Sequence, residues 1–182
     1  MLPPQPAAEP RSTGALGLLE TIGYATVVGG ADAMIKAAAV EIERLNIGSG
    51  GRITALATGN LDDVQAAIAA GVEGAGQWGE VNASAVVSRP DPALMACFAG
   101  VVKGSREGTP RQAMGLIETR STVALVRAVD QMLKSANVEY EGSYKVGYYL
   151  TATIVRGDIG AVRVAIDAGR QEAVKHGELV SA

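Results

Sequence analysis

Residues able to support catalysis are few and scattered along this chain. The single histidine, His176, follows Lys175, and no serine or cysteine lies at a recognisable spacing from it to act as a nucleophile. The adjacent carboxylates Asp62 and Asp63 fall in the first turn of a predicted helix, where acidic side chains ordinarily stabilise the helix dipole. The residue pattern therefore indicates a protein that is not an enzyme.

Metal and cofactor chemistry is limited by the number of soft ligands. One cysteine, Cys97, and one histidine leave no intrachain disulfide and too few ligands for a zinc or iron–sulfur site within one chain, although three chains could each contribute a cysteine. Cys97 stands among Leu94, Met95 and Phe98, so we interpret it as a small buried apolar residue. We predict no metal and no cofactor.

Three other positions attract attention without indicating chemistry. Glu20 and Glu118 each follow an apolar, strand-like run, and an acid repeated in this way is more simply structural than catalytic. Trp78 ends a predicted helix, where we interpret it as an amphipathic anchor at a surface between chains.

Composition bounds the class of protein. A chain of 182 residues with 48% hydrophobic content can build one or two cores. The net charge of −3 offers no basic field for nucleic acid or an anionic membrane. No apolar run approaches the roughly 20 residues that span a bilayer, and no signal-peptide pattern is present, so we expect a cytoplasmic protein. Few aromatic residues and 23 glycines favour closely packed elements and assembly.

Hydrophobic periodicity predicts the split βαβ order, β-α-β-β-α-β, in the first half of the chain. The predicted elements are strand 15–21, helix 23–38, strand 40–45, strand 53–58, a helix that Asn60 caps through its side-chain oxygen, and strand 81–88. The apolar faces of the two helices are predicted to hold Val27, Ala31, Met34, Ile35 and Ala38, and Val64, Ala67, Ile68, Gly71 and Val72.

The same pattern begins again 98 residues later, which indicates two copies of one domain. We predict a flexible tail over 1–14, a first domain over 15–100, a linker over 101–111 and a second, C-terminally short domain over 112–182. The matching positions include Gly17 and Gly115, Glu20 and Glu118, Asp32 and Asp130, Met34 and Met132, Lys36 and Lys134, Gly59 and Gly157, and Gly71 and Gly169.

A glycine-rich turn over 46–51 separates two strand-like runs, and 145–149 is its counterpart in the second copy. Spacing alone favours an ordinary hairpin turn, because glycine accepts the positive φ that such turns require. The register slips by one residue here, so that Gly48 matches Gly147. The frames of the two copies therefore agree, while their turns differ.

Together these residues resemble the shell-protein domain of bacterial microcompartments. The residues that carry the resemblance are Gly17-Leu18-Leu19-Glu20-Thr21, Asp32-Ala33-Met34-Ile35-Lys36 and Asn46-Ile47-Gly48-Ser49-Gly50, with Gly115-Leu116-Ile117-Glu118-Thr119, Lys145-Val146-Gly147 and Arg156-Gly157-Asp158 in the second copy. The element order is similar to that of the unpermuted tandem class. The resemblance implies an α+β fold of two split-βαβ domains, ferredoxin-like, each an antiparallel sheet with helices packed on it.

The resemblance also implies an assembly and a pore. Members with two domains form trimers shaped like a hexagon, which tile into the wall of an organelle. The turn between the second and third strands lines a central pore for small polar metabolites. The pore-lining residues would be Gly48, Ser49 and Gly50, alternating with Gly147, Tyr148 and Tyr149.

Three basic residues are implied at the edges between neighbouring tiles. Lys36 and Lys134 end the first helix of each copy, and Arg89 precedes the proline after the last strand of the first copy. A lysine at the end of a helix ordinarily just complements the dipole. The second copy shows no Arg-Pro counterpart, so we expect the six edges of a tile to differ.

The implied protein is thus a structural shell component within the cytoplasmic microcompartment. Its implied partners are other copies of itself in a homotrimer and other shell proteins, both hexameric tiles and pentameric vertex proteins, with enclosed enzymes contacted indirectly. The alternative is a regulatory protein that binds a small molecule, because tandem split-βαβ domains also build such modules.

Overall fold

Two four-stranded antiparallel sheets, each with a pair of helices on one face, make up the part of the chain that the structure describes. The structure, a computed structural model, describes residues 14–48, 50–94, 112–146 and 150–182. The first copy comprises β1 (Ala15–Ile22), α1 (Tyr24–Ala37), β2 (Glu41–Ile47), β3 (Arg52–Gly59), α2 (Leu61–Gly76) and β4 (Val81–Val87). The second comprises β5 (Ala113–Thr119), α3 (Thr122–Ser135), β6 (Glu139–Val146), β7 (Leu150–Gly157), α4 (Ile159–Lys175) and β8 (Leu179–Ser181).

The strand order confirms the predicted repeat. It is β2-β3-β1-β4 in the first sheet and β6-β7-β5-β8 in the second. Ala15 pairs with Gly59, and 98 positions later Ala113 pairs with Gly157. Even the irregularities recur, since a β-bulge follows Glu20 in β1 and Glu118 in β5. The two copies therefore share one register throughout their sheets.

Glycine on the central strand lets the second helix of each copy approach the sheet. A Cβ atom added to Gly17 would lie 2.9 Å from Val64 Cγ1, and one added to Gly115 would lie 2.9 Å from Val162 Cγ1. Both distances are too short for a side chain to be accommodated without displacing the helix. The repeated glycine is therefore a packing requirement.

The first copy has an apolar core of its own, whereas a second core spans both copies. Leu19, Val27 and Met34 belong to the first of these cores, between sheet and helices. Leu16 and Leu18 point to the opposite face of β1, where they join the cluster that contains Val126 and other α3 side chains. The first sheet is therefore covered on both faces, by its own helices and by α3.

Most predicted elements are confirmed, with two local corrections. Val27 and Met34 are buried on α1 as predicted, but Ile35 is 53% exposed, and Gly30 lies on the buried face. Asn60 is the N-cap residue of α2 as predicted, but its side chain makes no capping hydrogen bond. The acids of the first helical turn, Asp62 and Asp63, are present to complement the dipole.

Several predictions concern positions that lie outside the described residues. These are the tail, the linker, Ser49, Cys97 and the turn at 147–149. Among the helices that are described, none is long and apolar enough to cross a membrane.

We expect Gly30→Ala to destabilise the first copy by about 1 to 3 kcal/mol. The added methyl group would lie 2.6 Å from Leu19 Cδ2 and 3.1 Å from the Gly71 carbonyl oxygen, so α1 and α2 must separate. Gly160→Ala in α4 is the matched control, because nothing lies within 4 Å of its added Cβ. Urea unfolding should show a lower midpoint for the first variant only, and equal losses for both would contradict this packing argument.

Candidate assembly interface

The predicted pore turn is a hairpin whose shape depends on glycine. The Gly48 N–H donates to the Arg52 carbonyl oxygen at 2.8 Å, which closes the loop between β2 and β3. Gly50 and Gly51 have φ angles of 66° and 78°, a region that side chains disfavour. The Gly51 carbonyl oxygen then accepts from the N–H of Gly23 at 3.1 Å, which fixes the turn to the start of α1.

The two hairpin ends lie next to each other within one chain. Lys145, near the end of β6, donates from Nζ to the carbonyl oxygen of Ile47, at the end of β2. A Cβ atom on Gly48 would lie 3.3 Å from Thr122 Oγ1, at the beginning of α3. The turn of the first copy is therefore in contact with the second copy.

A fully buried carboxylate joins the two copies. Glu20 has no exposed surface, and its Oε2 accepts from the Thr122 N–H at 2.7 Å. Thr122 is the first residue of α3, so the Glu20 charge lies at the positive end of a helix in the other copy. Asn82 Nδ2 at 2.6 Å and Thr54 Oγ1 at 3.2 Å satisfy further acceptor sites.

An arginine spans the same junction. Arg52 in β3 pairs with Glu178 of the second copy through an Nη2 to Oε1 distance of 2.7 Å. Its Nε lies 3.9 Å from Glu20 Oε1, which places one positive charge between two carboxylates. The positive charge of Arg52 offsets part of the cost of burying Glu20.

Beyond this point the end of β4 runs along α3. The Val86 carbonyl oxygen accepts from Arg127 Nη1 at 3.0 Å, and the Ser88 carbonyl oxygen accepts from Lys134 Nζ at 3.1 Å. The Asp91 N–H donates to Asp130 Oδ1 at 3.3 Å. Most of the polar contacts between the copies thus join the first copy, at β1, at β4 and just after β4, to helix α3 of the second copy.

The three predicted edge residues lie in different surroundings. Lys36 pairs with Asp32 at 2.6 Å, and both side chains are more than half exposed. Lys134 pairs with Asp130 at 2.7 Å, but here the carboxylate is buried and Nζ also reaches Ser88. Arg89 directly follows Ser88, with a left-handed φ of 48°. The structure thus brings Lys134 close to the segment that contains Arg89, whereas the described contact of Lys36 is to Asp32 alone.

Both copies of the repeat match one known domain family. The model of the BMC domain matches residues 15–90 and again residues 113–182, one match to each sheet with its helices. The chain belongs to the BMC family of bacterial microcompartment shell proteins. It carries two copies of the BMC domain in tandem.

Curated relatives agree with this assignment. The carboxysome assembly protein CcmO of Synechocystis sp. is 37% identical over 92% of this chain, and CcmO of Synechococcus elongatus is 37% identical over 94%. The chain spans only about three fifths of the length of these two relatives, 59% and 64%. The microcompartment shell protein PduA of Salmonella typhimurium is 46% identical over 38% of this chain and 73% of its own length.

Solved structures share the fold. A microcompartments protein from Desulfitobacterium hafniense DCB has a TM-score of 0.73 at 24% identity, covering 93% of this chain and 92% of the other. A fused, permuted hexameric shell protein of the RMM microcompartment has a TM-score of 0.67 at 19% identity, covering 92% and 85%. At these identities the likeness concerns the fold alone.

One charged cluster in the second BMC domain was missed by the sequence analysis. Glu172 in α4 is only 5% exposed and accepts hydrogen bonds from Arg127 Nε at 2.9 Å and Lys175 Nζ at 2.8 Å. His176 Nε2 lies 3.5 Å from the same carboxylate. The helical spacing of Glu172, Lys175 and His176 was a signal that could have indicated part of this cluster.

In the first BMC domain, glycine and tryptophan stand where the second domain has two residues of this charged cluster. Glycine stands at the position of Arg127, and Trp78 stands at the position of His176. A Cβ atom on Gly29 would lie 2.4 Å from Trp78 Cδ1, so the indole ring covers the helix where the charged cluster lies in the second domain. Trp78 is also 67% exposed, and its predicted role between chains stays a prediction.

Within the described ranges, no group of three or more His, Cys, Asp or Glu side chains is placed to hold a metal ion.

The cluster predicts acid sensitivity. Burial acts to raise the pKa of Glu172, but hydrogen bonds and charges from Lys175 and Arg127 lower it from 4.5 to about 2. The ionised Glu172 carboxylate therefore stabilises the fold fully above pH 5, and this contribution is lost as pH falls toward 2. We expect the loss to be about 2 kcal/mol, because solvent screens the exposed Lys175. Burial and the charge of Arg127 lower the pKa of His176 below 6.5. The folded protein therefore favours the neutral imidazole, and a further loss of stability begins as pH falls through 6.5, where His176 takes up a proton more readily in the unfolded chain.

Urea unfolding between pH 7 and pH 3 measures this dependence. Glu172→Gln should be less stable at pH 7 and should lose less stability on acidification than the wild type does. Glu73→Gln, in an exposed part of α2, is the control and should follow the wild-type profile. Parallel profiles for wild type and Glu172→Gln would show that Glu172 does not carry the acid response.

Proposed function

We propose that this protein is a structural component of a bacterial microcompartment shell, in which three chains form a pseudohexagonal tile with a central pore. Membership of the BMC family supports the shell role, as do relatives that are named carboxysome assembly and microcompartment shell proteins. The observation that carries the trimer is the contact between the two domains of one chain. It is a head-to-tail contact, in which a sheet face of the first domain packs on a helix of the second.

Such a contact leaves two complementary faces open at the ends of the chain. In the sheet, Leu16 of the first domain is completely buried, while its counterpart Met114 is 54% exposed. In the helices, Val126 of the second domain is 3% exposed, while its counterpart Val28 is 45% exposed. Repetition of the same contact between chains would bury both open faces.

Repeated head-to-tail contacts either close into a ring or continue as a filament. Two domains per chain and three chains supply the six positions of a hexagon, which is the shape that the family resemblance implies. Covering the exposed apolar side chains Tyr24, Val28 and Ile35 on α1 would favour association. We therefore infer a closed homotrimer.

The pore would be formed by the two kinds of hairpin turn in alternation. Gly48, Ser49 and Gly50 would contribute backbone amides and a hydroxyl group, which can replace water around a small polar metabolite. The second turn would contribute Gly147, Tyr148 and Tyr149. The contact of Lys145 with Ile47 supports this arrangement, because it brings the bases of neighbouring turns together.

The tile edges would carry Lys36, Lys134 and Arg89. A lysine at an edge can donate three hydrogen bonds to carbonyl groups of the adjoining tile while its stem covers apolar surface. Lys36 is the more available of the two lysines, since its side chain is 71% exposed against 38% for Lys134. Other shell proteins, hexameric tiles and pentameric vertex proteins, would be the partners in the finished shell.

Sedimentation velocity and negative-stain microscopy of the purified protein test this function. We expect a species with the mass of three chains, which forms flat sheets at high concentration or closed shells with partner shell proteins, without any ligand. A small closed oligomer that never forms sheets, and whose melting temperature rises with a small-molecule effector, would favour a regulatory protein instead.

We expect Lys36→Ala to weaken sheet formation while leaving the trimer intact, because the family resemblance implies Lys36 at the edge between tiles, where its exposed ammonium group can donate to carbonyl groups of the adjoining tile. Lys175→Ala is the matched control, since Lys175 is 68% exposed, belongs to the last turn of a helix and forms an ion pair with Glu172. Light scattering at rising protein concentration measures sheet formation. Loss of the trimer in the Lys36 variant would assign this residue to the contact between chains.

A further inference from the structure

We propose that the contact between neighbouring chains is anchored by the Glu118 carboxylate on the backbone N–H of Tyr24 in the next chain, at a junction without the arginine that joins the domains within a chain. The proposal rests on the trimer of the proposed function. It assigns a specific role to Glu118 and predicts that the two kinds of junction in one tile differ in strength.

The contact within the chain provides the template. Each residue of the first domain corresponds to the residue 98 positions later, as the matching strand registers and bulges show. A contact from the first domain to the second within one chain therefore predicts a contact from the second domain of one chain to the first domain of the next. Thr122 corresponds in this way to Tyr24, and each is the first residue of its helix.

The contact made by Glu20 is the one that the sequence preserves. Glu118 lies at the same register position in β5, before the same bulge. Ser181 Oγ donates to Glu118 Oε2 at 2.6 Å, and Asn82 Nδ2 donates to Glu20 Oε1 at 2.6 Å. A side chain from the last strand of each domain thus orients the carboxylate. Since the donor in the next chain is a backbone N–H, it does not depend on the residue type at Tyr24.

The start of α1 also needs an acceptor more than the start of α3 does. Ser121 caps α3 by accepting from the Ala124 N–H at 3.3 Å. Gly23 occupies the corresponding position before α1, has no side chain and makes no side-chain cap. A carboxylate from the next chain would supply both the missing acceptor and a negative charge at the positive end of α1.

Three other contacts between the domains lose their charged donor when moved to the junction between chains. Leu150 stands at the position of Arg52, Gly29 at that of Arg127, and Ile47 at that of Lys145. The contact of Glu20 with Thr122, by contrast, keeps both partners when it is moved: Glu118 supplies the acceptor and the Tyr24 N–H supplies the backbone donor.

The exchange of Arg52 for leucine changes the charge balance at this junction. Glu80 corresponds to Glu178, and the carbonyl oxygens of both accept the same strand-end hydrogen bond, from Ile22 at 3.0 Å and from Arg120 at 3.1 Å. Two carboxylates, Glu118 and the next chain's Glu80, would therefore face Leu150, with no guanidinium between them. Repulsion between like charges would make the junction between chains weaker than the junction within the chain.

The dissociation constant of the trimer tests the proposal, measured by mass photometry and sedimentation equilibrium on the full chain. Glu118→Gln should weaken the trimer by about tenfold or more per junction, because a neutral amide oxygen is a weaker acceptor for the Tyr24 N–H than a carboxylate and brings no charge to the positive end of α1; we expect this loss to exceed the relief of repulsion from the next chain's Glu80. Leu150→Arg should tighten the trimer, and should gain less in the Glu118→Gln background than in the wild type, since the new arginine needs the carboxylate.

Two controls separate association from folding. Glu41→Gln removes an exposed carboxylate from β2 and should leave the dissociation constant unchanged. Glu20→Gln removes the corresponding anchor within the chain, so it should lower the thermal stability at all protein concentrations. Glu118→Gln should melt like the wild type at dilutions where both are monomeric.

The outcomes distinguish this proposal from the proposed function. A wild-type chain that stays monomeric at high concentration would overturn both. A trimeric wild type whose dissociation constant is unchanged in Glu118→Gln would overturn the anchor and leave the shell function standing. A weaker trimer in Glu118→Gln together with a tighter one in Leu150→Arg would support both.

Discussion

The buried carboxylate of Glu20 is the interaction on which the relation between the two domains depends. An ionised group without solvent contact costs several kcal/mol unless hydrogen bonds and opposite charge compensate it. Here one of the three donors is the Thr122 N–H of the other domain, and Arg52 brings a positive charge to within 3.9 Å. The first domain can therefore bury this acid favourably only while the second domain is in place. Domain arrangement and folding are coupled through one side chain.

Apolar burial extends the same coupling across the sheet. Leu16 and Leu18 are completely buried because α3 covers a sheet face that a lone domain would expose to water. The corresponding face of the second domain, with Met114 more than half exposed, still presents apolar surface. One chain thus contains a formed contact between domains and, on each domain, an exposed apolar face that corresponds to one side of that contact. In the proposed trimer, burial of these faces would supply the driving force for assembly.

Much of this was accessible from the sequence, for physical reasons that also explain the failures. The internal repeat predicted two domains with the same order of strands. It could be recognised because helix packing requires glycine at the same place in both copies, at 17 and at 115. Helical periodicity did not reveal that Ile35 is exposed, since an apolar side chain on an exposed helix face produces the same spacing as one on a buried face. Contacts such as Arg127 with the Val86 carbonyl oxygen were unpredictable, because a backbone acceptor leaves no residue type to recognise. The pore turns remain a prediction.

Duplication also allows the two junctions to diverge. In a ring of identical domains every junction must use the same residues, whereas here Arg52 and Leu150 occupy equivalent positions with different chemistry. The contact within the chain joins two parts of one molecule, so strong polar contacts there contribute to folding at any protein concentration. In the proposed trimer the contact between chains would depend on protein concentration, and a weaker contact would stay reversible. Reversible closure would let a misplaced chain leave before the surrounding tiles fix it, which would favour a regular shell.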